Sequence, residues 1–402
     1  MRRGSSLILI TDPAFSRHDT GGGEHPEIPE RLQAIQEAFE HSPFAQSIHT
    51  APPRPASREE LLAFHDEAWL FRFEEAVLSG RTYVDHTDNQ VCYESYEIAT
   101  LSAGSGLSGI DLIEKGLADG AVFCLTRPPG HHAEANQPLG FCFFNNCVIA
   151  ARYWQKRYGR SRVAVFDFDA HHGNGIQSAL ESEPDSAYVS IHEHPSFSYP
   201  GTGWDEERGL GPGKGTVLNL PLQPGAGDEE VRRLLPKIRA FLEQIRPDAL
   251  IVGAGFDAHV EDEMSGLAYT TALYTELGRF VVELGRDFCA GRVLSILEGG
   301  YHLPRLGECA AAYVAGLLEL DGACAYQAHR PLSIGGDMFI HYHMTPTPTT
   351  MHPNQTVAEA IELLARSSFR HLPLVDDEGV LAGVISDRDL RSAQPSSIAR
   401  IS

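Results

Sequence analysis

The sequence has no apolar run approaching the roughly 20 residues needed to span a bilayer, and its N-terminal MRRGSSLILITDP holds only a four-residue apolar core before polar residues resume. That stretch reads as a first strand, not a signal peptide, and no membrane partner is expected. Cysteine is sparse and unpaired. The seven (Cys92, Cys124, Cys142, Cys147, Cys289, Cys309 and Cys324) are scattered and never form CxxC, which argues against a disulfide framework or a thiolate zinc site and points to a reducing cytoplasm. Basic residues are outnumbered, 32 Lys and Arg against 54 Asp and Glu, for a net charge of -22. A polyanion would be repelled, so nucleic acid is not an expected partner. Cationic ligands would be drawn in, although acidity alone also serves solubility.

What is present describes a globular chain: 402 residues, 42% hydrophobic and 21% charged, long enough for two domains or one large α/β unit with an appendage. Five short, nearly continuous apolar runs recur between about 120 and 300: AVFCLT, RVAVFDFD, AYVSIHE, DALIVGAGFD and RVLSILEGG. Such runs suit strands buried on both faces of a parallel sheet. Helical patterns such as NCVIAARYWQKRYG and DEEVRRLLPKIRAFLEQI lie between them, so the expected fold is a doubly wound α/β domain over residues 1–328. After a Pro, Gly, His and Thr-rich connection, put at 329–342, a small α/β unit is expected over 343–402. In it Thr356 and Glu359 form a capping box, and RHLPLV and VLAGVIS read as strands around a DDEG turn. A unit of about 50 residues is small to stand alone, so it should pair with a second copy or dock.

Ligands of open α/β sheets bind beyond the carboxyl ends of the strands. There this sequence places PPGHH (His131, His132), DFDAHHGN (Asp167 to Asn174), His192, DAH (Asp257 to His259) and GGY (Tyr301). Asp169 and His171, one residue apart, can chelate one cation. Asp257 from another strand would complete a three-ligand set for zinc, iron or cobalt with a position left for water. Taken singly, an Asp caps a loop and a His satisfies a carbonyl; the strings together point to metal. Water activated at such an ion and attacking an amide needs a base and an acid, which two neighbouring imidazoles could divide. An aspartate partner raises imidazole basicity and a neutral amide only orients the ring; Asp167 and Asn174 are available for these parts. Tyr301, behind a Gly-Gly pair, offers a phenol to a developing oxyanion. Phe141 and Tyr199, with Gly140 and Gly300, are candidates to line a slender chain, the alternative being plain packing. Glu261, Asp262 and Glu263, after the metal loop, read as acids at the pocket mouth that would favour polyamines.

These residues together resemble the histone deacetylase and acetylpolyamine amidohydrolase superfamily, through HPEIPER (25–31), RPPGHHA (127–133), GFCFFNN (140–146), DFDAHHGNG (167–175), YPGTG (199–203), GFDAH (255–259) and EGGY (298–301). The resemblance implies an arginase-like parallel sheet flanked by helices, a zinc ion on Asp169, His171 and Asp257, and hydrolysis of acetyl-lysine in proteins or of acetylpolyamines to acetate and an amine. It implies the pairs His131–Asp167 and His132–Asn174, with His132 as principal base and acid and Tyr301 polarising the carbonyl; Asn174 matches the class II branch. It further implies a structural potassium ion near Asp167, Asp169, His171, Ser190 and Ile191, and Arg31 beside an acetate channel. The tail resembles a single CBS motif, which implies an adenosine nucleotide contacting Ser386 and Asp389, and pairing of two chains into a homodimer through their tails. Two other readings are a manganese ureohydrolase, disfavoured because GFDAHVEDEM lacks the needed DxD, and a catalytically weak binder or nucleotide-regulated scaffold.

Overall fold

A computed structural model describes residues 6–21, 25–118, 121–320, 350–356, 358–360, 363, 371–376 and 380–386. The chain divides into two compact units, Met1–Ala328 and His329–Ser402. The strands run in chain order as β1 (Leu7–Ile10), β2 (Ile48–Ala51), β3 (Tyr83–Val84), β4 (His86–Gln90), β5 (Ala121–Cys124), β6 (Val163–Asp167), β7 (Ser186–Glu193), β8 (Val217–Leu222), β9 (Ala249–Ala254), β10 (Val293–Leu297), β11 (His371–Val375) and β12 (Leu381–Ser386).

The first unit is built on an eight-stranded sheet of order β2-β1-β5-β10-β9-β6-β7-β8, with every pairing parallel. All five apolar runs lie on strands, as does the N-terminal LILI. Side chains alternate between two cores. On β6, Val163 and Val165 join one cluster while Ala164 and Phe166 join the other; on β9, Ala249 and Ile251 oppose Leu250 and Val252. Helices Glu30–Glu40, Asp228–Ile245, Thr271–Phe288 and Leu303–Leu317 cover the first face. Helices Asn146–Tyr158 and Asn174–Leu180 cover the second. The two edge strands are β2 and β8, neither among the five runs: β2 (IHTA) is largely polar, and β8 (VLNLPL) interrupts its apolar residues with Asn219 and Pro221, the proline being tolerated because an edge strand can spare an N–H.

The GFCFFNN aromatics divide between packing and site. Phe143 stacks on Phe73 at 4.7 Å, and Phe73 on Trp69 at 5.3 Å, within a third cluster. Asn145 caps helix Asn146–Tyr158 by accepting from Val148 N at 3.1 Å, and Gly159 closes it at φ 66°.

In the second unit β11 and β12 form an antiparallel pair. Glu359 N donates to Thr356 Oγ1 at 3.3 Å and Thr356 N to Glu359 Oε2 at 2.7 Å, the expected capping box. The connection assigned to 329–342 and Asp389 lie outside the described residues, as does the side chain of Ser386, the last residue of β12. Among the described residues no helix is long and apolar enough to cross a membrane.

Gly104 lies mid-way along helix Ser95–Glu114, where alanine ordinarily gains about 1 kcal/mol in helix propensity. Here a Cβ would sit 1.8 Å from Arg54 O and 2.6 Å from Ala56 N, which are main-chain atoms and cannot swing away. Gly104→Ala should therefore lose about 1–3 kcal/mol, read as a lower urea midpoint; a rise would show that the neighbouring segment yields freely.

Candidate active site

The carboxyl ends of β5, β6, β7, β9 and β10 bring the predicted residues to one place. Asp167 closes β6, opposite Gly253 of β9 and Ser190 of β7. The ligand atoms of Asp169, His171 and Asp257 all lie within 4.8 Å of one another and are buried. Asp169 accepts from Gly299 N at 2.7 Å and His171 N at 2.9 Å, and Asp257 from Ala170 N at 2.8 Å. His171 Nε2 donates to Met264 O at 3.1 Å, which turns Nδ1 toward Asp257 (3.0 Å) and Asp169 (3.2 Å). Backbone must come very close to these carboxylates: a Cβ on Gly255 would lie 2.1 Å from Asp169 Oδ2, and one on Gly299 2.3 Å from Asp257 Oδ2. The Gly-Gly pair is thus explained twice, by crowding at Gly299 and by φ 120° at Gly300.

This donor set fits a divalent cation. Two buried carboxylates converge on an imidazole nitrogen, a costly arrangement without a counter-charge. The same crowding shifts the protons of these groups. Burial, then repulsion from Asp169, pushes Asp257 up to about 7. His171 is driven well above its ordinary value because its two carboxylates outweigh burial. One imidazole and two carboxylates suit zinc, iron and cobalt alike.

The tandem histidines sit in unlike surroundings. His131 Nδ1 donates to Asp167 Oδ2 at 3.1 Å, and Asp167 also accepts from Tyr188 Oη at 3.1 Å. Burial opposes a charge on His131, yet Asp169 and Asp167 push it up to about 10. His132 Nδ1 lies 2.8 Å from Asn174 Oδ1. The Asn174 amide is oriented by its own Nδ2, which donates to Glu134 Oε1 at 2.8 Å and His132 O at 3.2 Å. Its oxygen must therefore face His132, whose proton is on Nδ1 and whose Nε2 lone pair is free. Burial, then His131 and His171, hold His132 well below the usual histidine range.

Four consecutive residues of EGGY tie the site together. The buried Glu298 carboxyl accepts from Gly130 N at 2.7 Å and His131 N at 3.0 Å, fixing the turn that carries both histidines. Gly299 N holds Asp169. Gly300 O accepts from Arg31 Nε at 2.7 Å. Tyr301 N donates to Asp262 Oδ2 at 2.7 Å. The Tyr301 ring lies 4.8 Å from the Arg31 guanidinium and edge-on to Phe141 at 5.8 Å, with its phenol within electrostatic reach of Asp257 and Asp169. Burial pushes that phenol well above its usual value, so it is an O–H donor at neutral pH. Arg31 is itself fully buried and shares Glu27 with Arg127; the two cations overcome burial and hold Glu27 at about 2.

Gly140 and Phe141 are the central residues of a two-residue turn closed by Leu139 and Cys142, at φ 52° and 70°. Asp88 and Asn89 of β4 accept their N–H groups. A Cβ on Gly140 would meet His132 Cδ2 at 2.4 Å, so a side chain there would fill the space before the ring. Tyr199 meets His132 edge-on at 5.0 Å and is 43% exposed, at the mouth. Of the residues expected around a potassium ion, Asp167 ends β6 opposite Ser190 of β7, next to Ile191, and accepts from Asp169 N at 3.2 Å, two residues before His171; Ser190 Oγ lies 2.7 Å from His192 Nδ1. One expectation needs correction. Asp262 is 5% exposed and spends its carboxylate on main-chain N–H groups, and Glu261 bonds Arg305 at 2.9 Å, so of the three acids read at the mouth only Glu263 is left exposed and uncommitted to these bonds. Glu27, Arg127 and Glu298 are neighbours of the site that residue spacing did not single out, and Asp262 was read only as a mouth acid.

This arrangement is a candidate cation site at the carboxyl edge of an α/β sheet, and comparison with known proteins narrows its meaning. Residues 25–317 match the family model of the histone deacetylase domain, and 336–396 that of the CBS domain. The chain belongs to the histone deacetylase family. Histone deacetylase 14, chloroplastic, of Arabidopsis thaliana is 36% identical over 320 residues, 74% of this chain and 74% of that protein. The histone deacetylase-like amidohydrolase of Pseudomonas aeruginosa is 33% identical over 299 residues, 74% of this chain and 77% of that protein. A polyamine deacetylase of Danio rerio is 32% identical over 335 residues, 79% of this chain but 48% of that protein. The crystal structure of the HDA15 HD domain aligns at a TM-score of 0.72 and 30% identity, covering 80% of this chain and 92% of that one.

Because a neutral amide holds His132, replacing it by a carboxylate should stabilise the imidazolium. Asn174→Asp should raise the His132 pKa by about 1–3 units, followed by NMR of 15N-histidine-labelled protein. An unmoved titration would show that Asn174 does not control this ring.

Proposed function

We propose that the chain is a zinc-dependent amidohydrolase that removes acetyl groups from N-acetylated amines. The observation that carries this reading is the His132 ring, its Nδ1 2.8 Å from Asn174 Oδ1, beside the converging Asp169, His171 and Asp257 set. An ion bound there supplies Lewis acidity, polarising the acyl oxygen and lowering the pKa of water. His132 takes the water's proton at Nε2 and returns it to the leaving amine; its low basicity keeps it unprotonated and ready at neutral pH. His131, charged and tied to Asp167, stabilises the negative charge that grows on the acyl carbon's oxygens. The Tyr301 phenol donates a hydrogen bond to the same oxyanion. Phe141, Tyr199 and the bare Cα of Gly140 leave a slot for an aliphatic stem, whereas Gly300, expected beside them, faces Phe256 and Leu306 of the core instead.

Of the two substrate classes we favour acetyl-lysine in a peptide, because Asp262 is buried against main-chain N–H groups and the exposed Glu261 is neutralised by Arg305, which leaves less charge to attract a polyamine. A potassium ion on Asp167, Asp169, His171, Ser190 and Ile191 belongs to the same proposal as a structural support. So do a cytoplasmic location, which suits the six free thiols among the described residues, and tails that pair two chains and take an adenosine nucleotide. The competing reading, a weak binder or nucleotide-regulated scaffold, is served only by the CBS match.

Wild type should release acetate from an acetyl-lysine peptide faster than from acetylputrescine or acetylspermidine. Tyr301→Phe and His132→Ala should each lower kcat at least ~100-fold with metal retained. Equal trace activity in all three proteins would leave the scaffold reading standing.

A further inference from the structure

Asp262 lies five residues beyond Asp257 and touches no substrate space. It is 5% exposed, and its two oxygens serve different loops. Oδ2 accepts from Tyr301 N at 2.7 Å and His302 N at 3.0 Å; Oδ1 accepts from Met264 N at 3.0 Å. Met264 in turn accepts from His171 Nε2 through its carbonyl at 3.1 Å. Asp262 N is anchored to His259 O at 2.8 Å. One carboxylate therefore links the turn that carries the phenol to the turn that orients the imidazole of the metal set. A buried carboxylate is costly, and three N–H groups converging on one explain why it persists there.

We infer that Asp262 is a positioning residue for Tyr301, fixing the height of the phenol above the Asp169–His171–Asp257 set through the main chain. This rests on the hydrolase reading given above. Arg31 pulls on the same turn from the opposite side at Gly300 O, so Tyr301 is held between a cation on one flank and an anion on the other. Among natural side chains the geometry calls for a short one with two acceptor oxygens. Asparagine supplies one acceptor and turns an amide N–H₂ on the remaining donors. Serine supplies a single hydroxyl.

The test is a double-mutant cycle with acetyl-lysine peptide as probe, using the metal-loaded full chain. Asp262→Asn should lower kcat about 10- to 100-fold with KM changed less than about threefold. In a Tyr301→Phe background the same substitution should cost less than about threefold, because the phenol it positions is gone. Asp262→Glu should recover part of the loss by restoring two acceptors. Losses that multiply in the double variant would overturn the inference and make Asp262 merely structural. An inert, metal-loaded wild type would contradict the hydrolase reading itself and not the contact. Should the variants fail to fold, amide exchange in wild type reads the contact directly: Tyr301 and His302 N–H should exchange at least ~100-fold slower than exposed loop amides, and unprotected exchange at both would overturn the inference.

Discussion

Asp167, Asp169, Asp257 and Glu298 all bury their carboxyl groups completely at one end of the sheet, where the side chains beside them are imidazoles, thiols and a phenol. Concentrating negative charge away from water is unfavourable unless something positive joins it, and the rest of the site can be read as the response. Main-chain N–H groups of Gly130, His131, Ala170, His171 and Gly299 point at these oxygens. His131 and His171 are drawn toward the charged form. A divalent cation on Asp169, His171 and Asp257 would complete the balance, and it would also supply the electrophile that the proposed chemistry requires.

That constraint separates the two neighbouring histidines. Adjacent imidazoles with like surroundings would compete for one proton. Here Asp167 claims charge for His131, whereas Asn174, itself oriented by Glu134, leaves His132 neutral with a defined tautomer. The distinction is set by partners from β6 and from the first turn of the helix that follows it, Asp167 and Asn174, so one strand-loop-helix passage supplies two of the candidate ligands and the partners of both histidines. The loop after β10 answers from the other side, with Tyr301 pressed between Arg31 and Phe141.

Much of this was legible in the residues because it rests on local pattern. Strands buried on both faces must be continuously apolar, so β5, β6, β7, β9 and β10 announced themselves; β2, half-exposed at one edge, had no reason to, and β8 at the other edge is buried but has its apolar run broken by Asn219 and Pro221. Asp169, His171 and Asp257 were legible because chelation needs particular side chains at strand ends. Asp262 was not, since between Glu261 and Glu263 it reads as one more surface acid, and only its burial against Tyr301 N shows otherwise. Glu298 was hidden for a similar reason: at the end of a buried strand its carboxylate has meaning only through the N–H groups it meets from a segment 167 and 168 residues away. Phe143 and Phe144 show the converse, motif residues whose work is packing.

If a cation on Asp169, His171 and Asp257 is what balances the buried carboxylates and drives the reaction, then metal and activity must rise together. Chain stripped with a chelator and titrated with Zn²⁺, followed for acetate release from an acetyl-lysine peptide, should be inactive at first and gain activity linearly to a break at one equivalent. Full hydrolysis by the metal-free chain, or no gain once one equivalent is bound, would contradict the account.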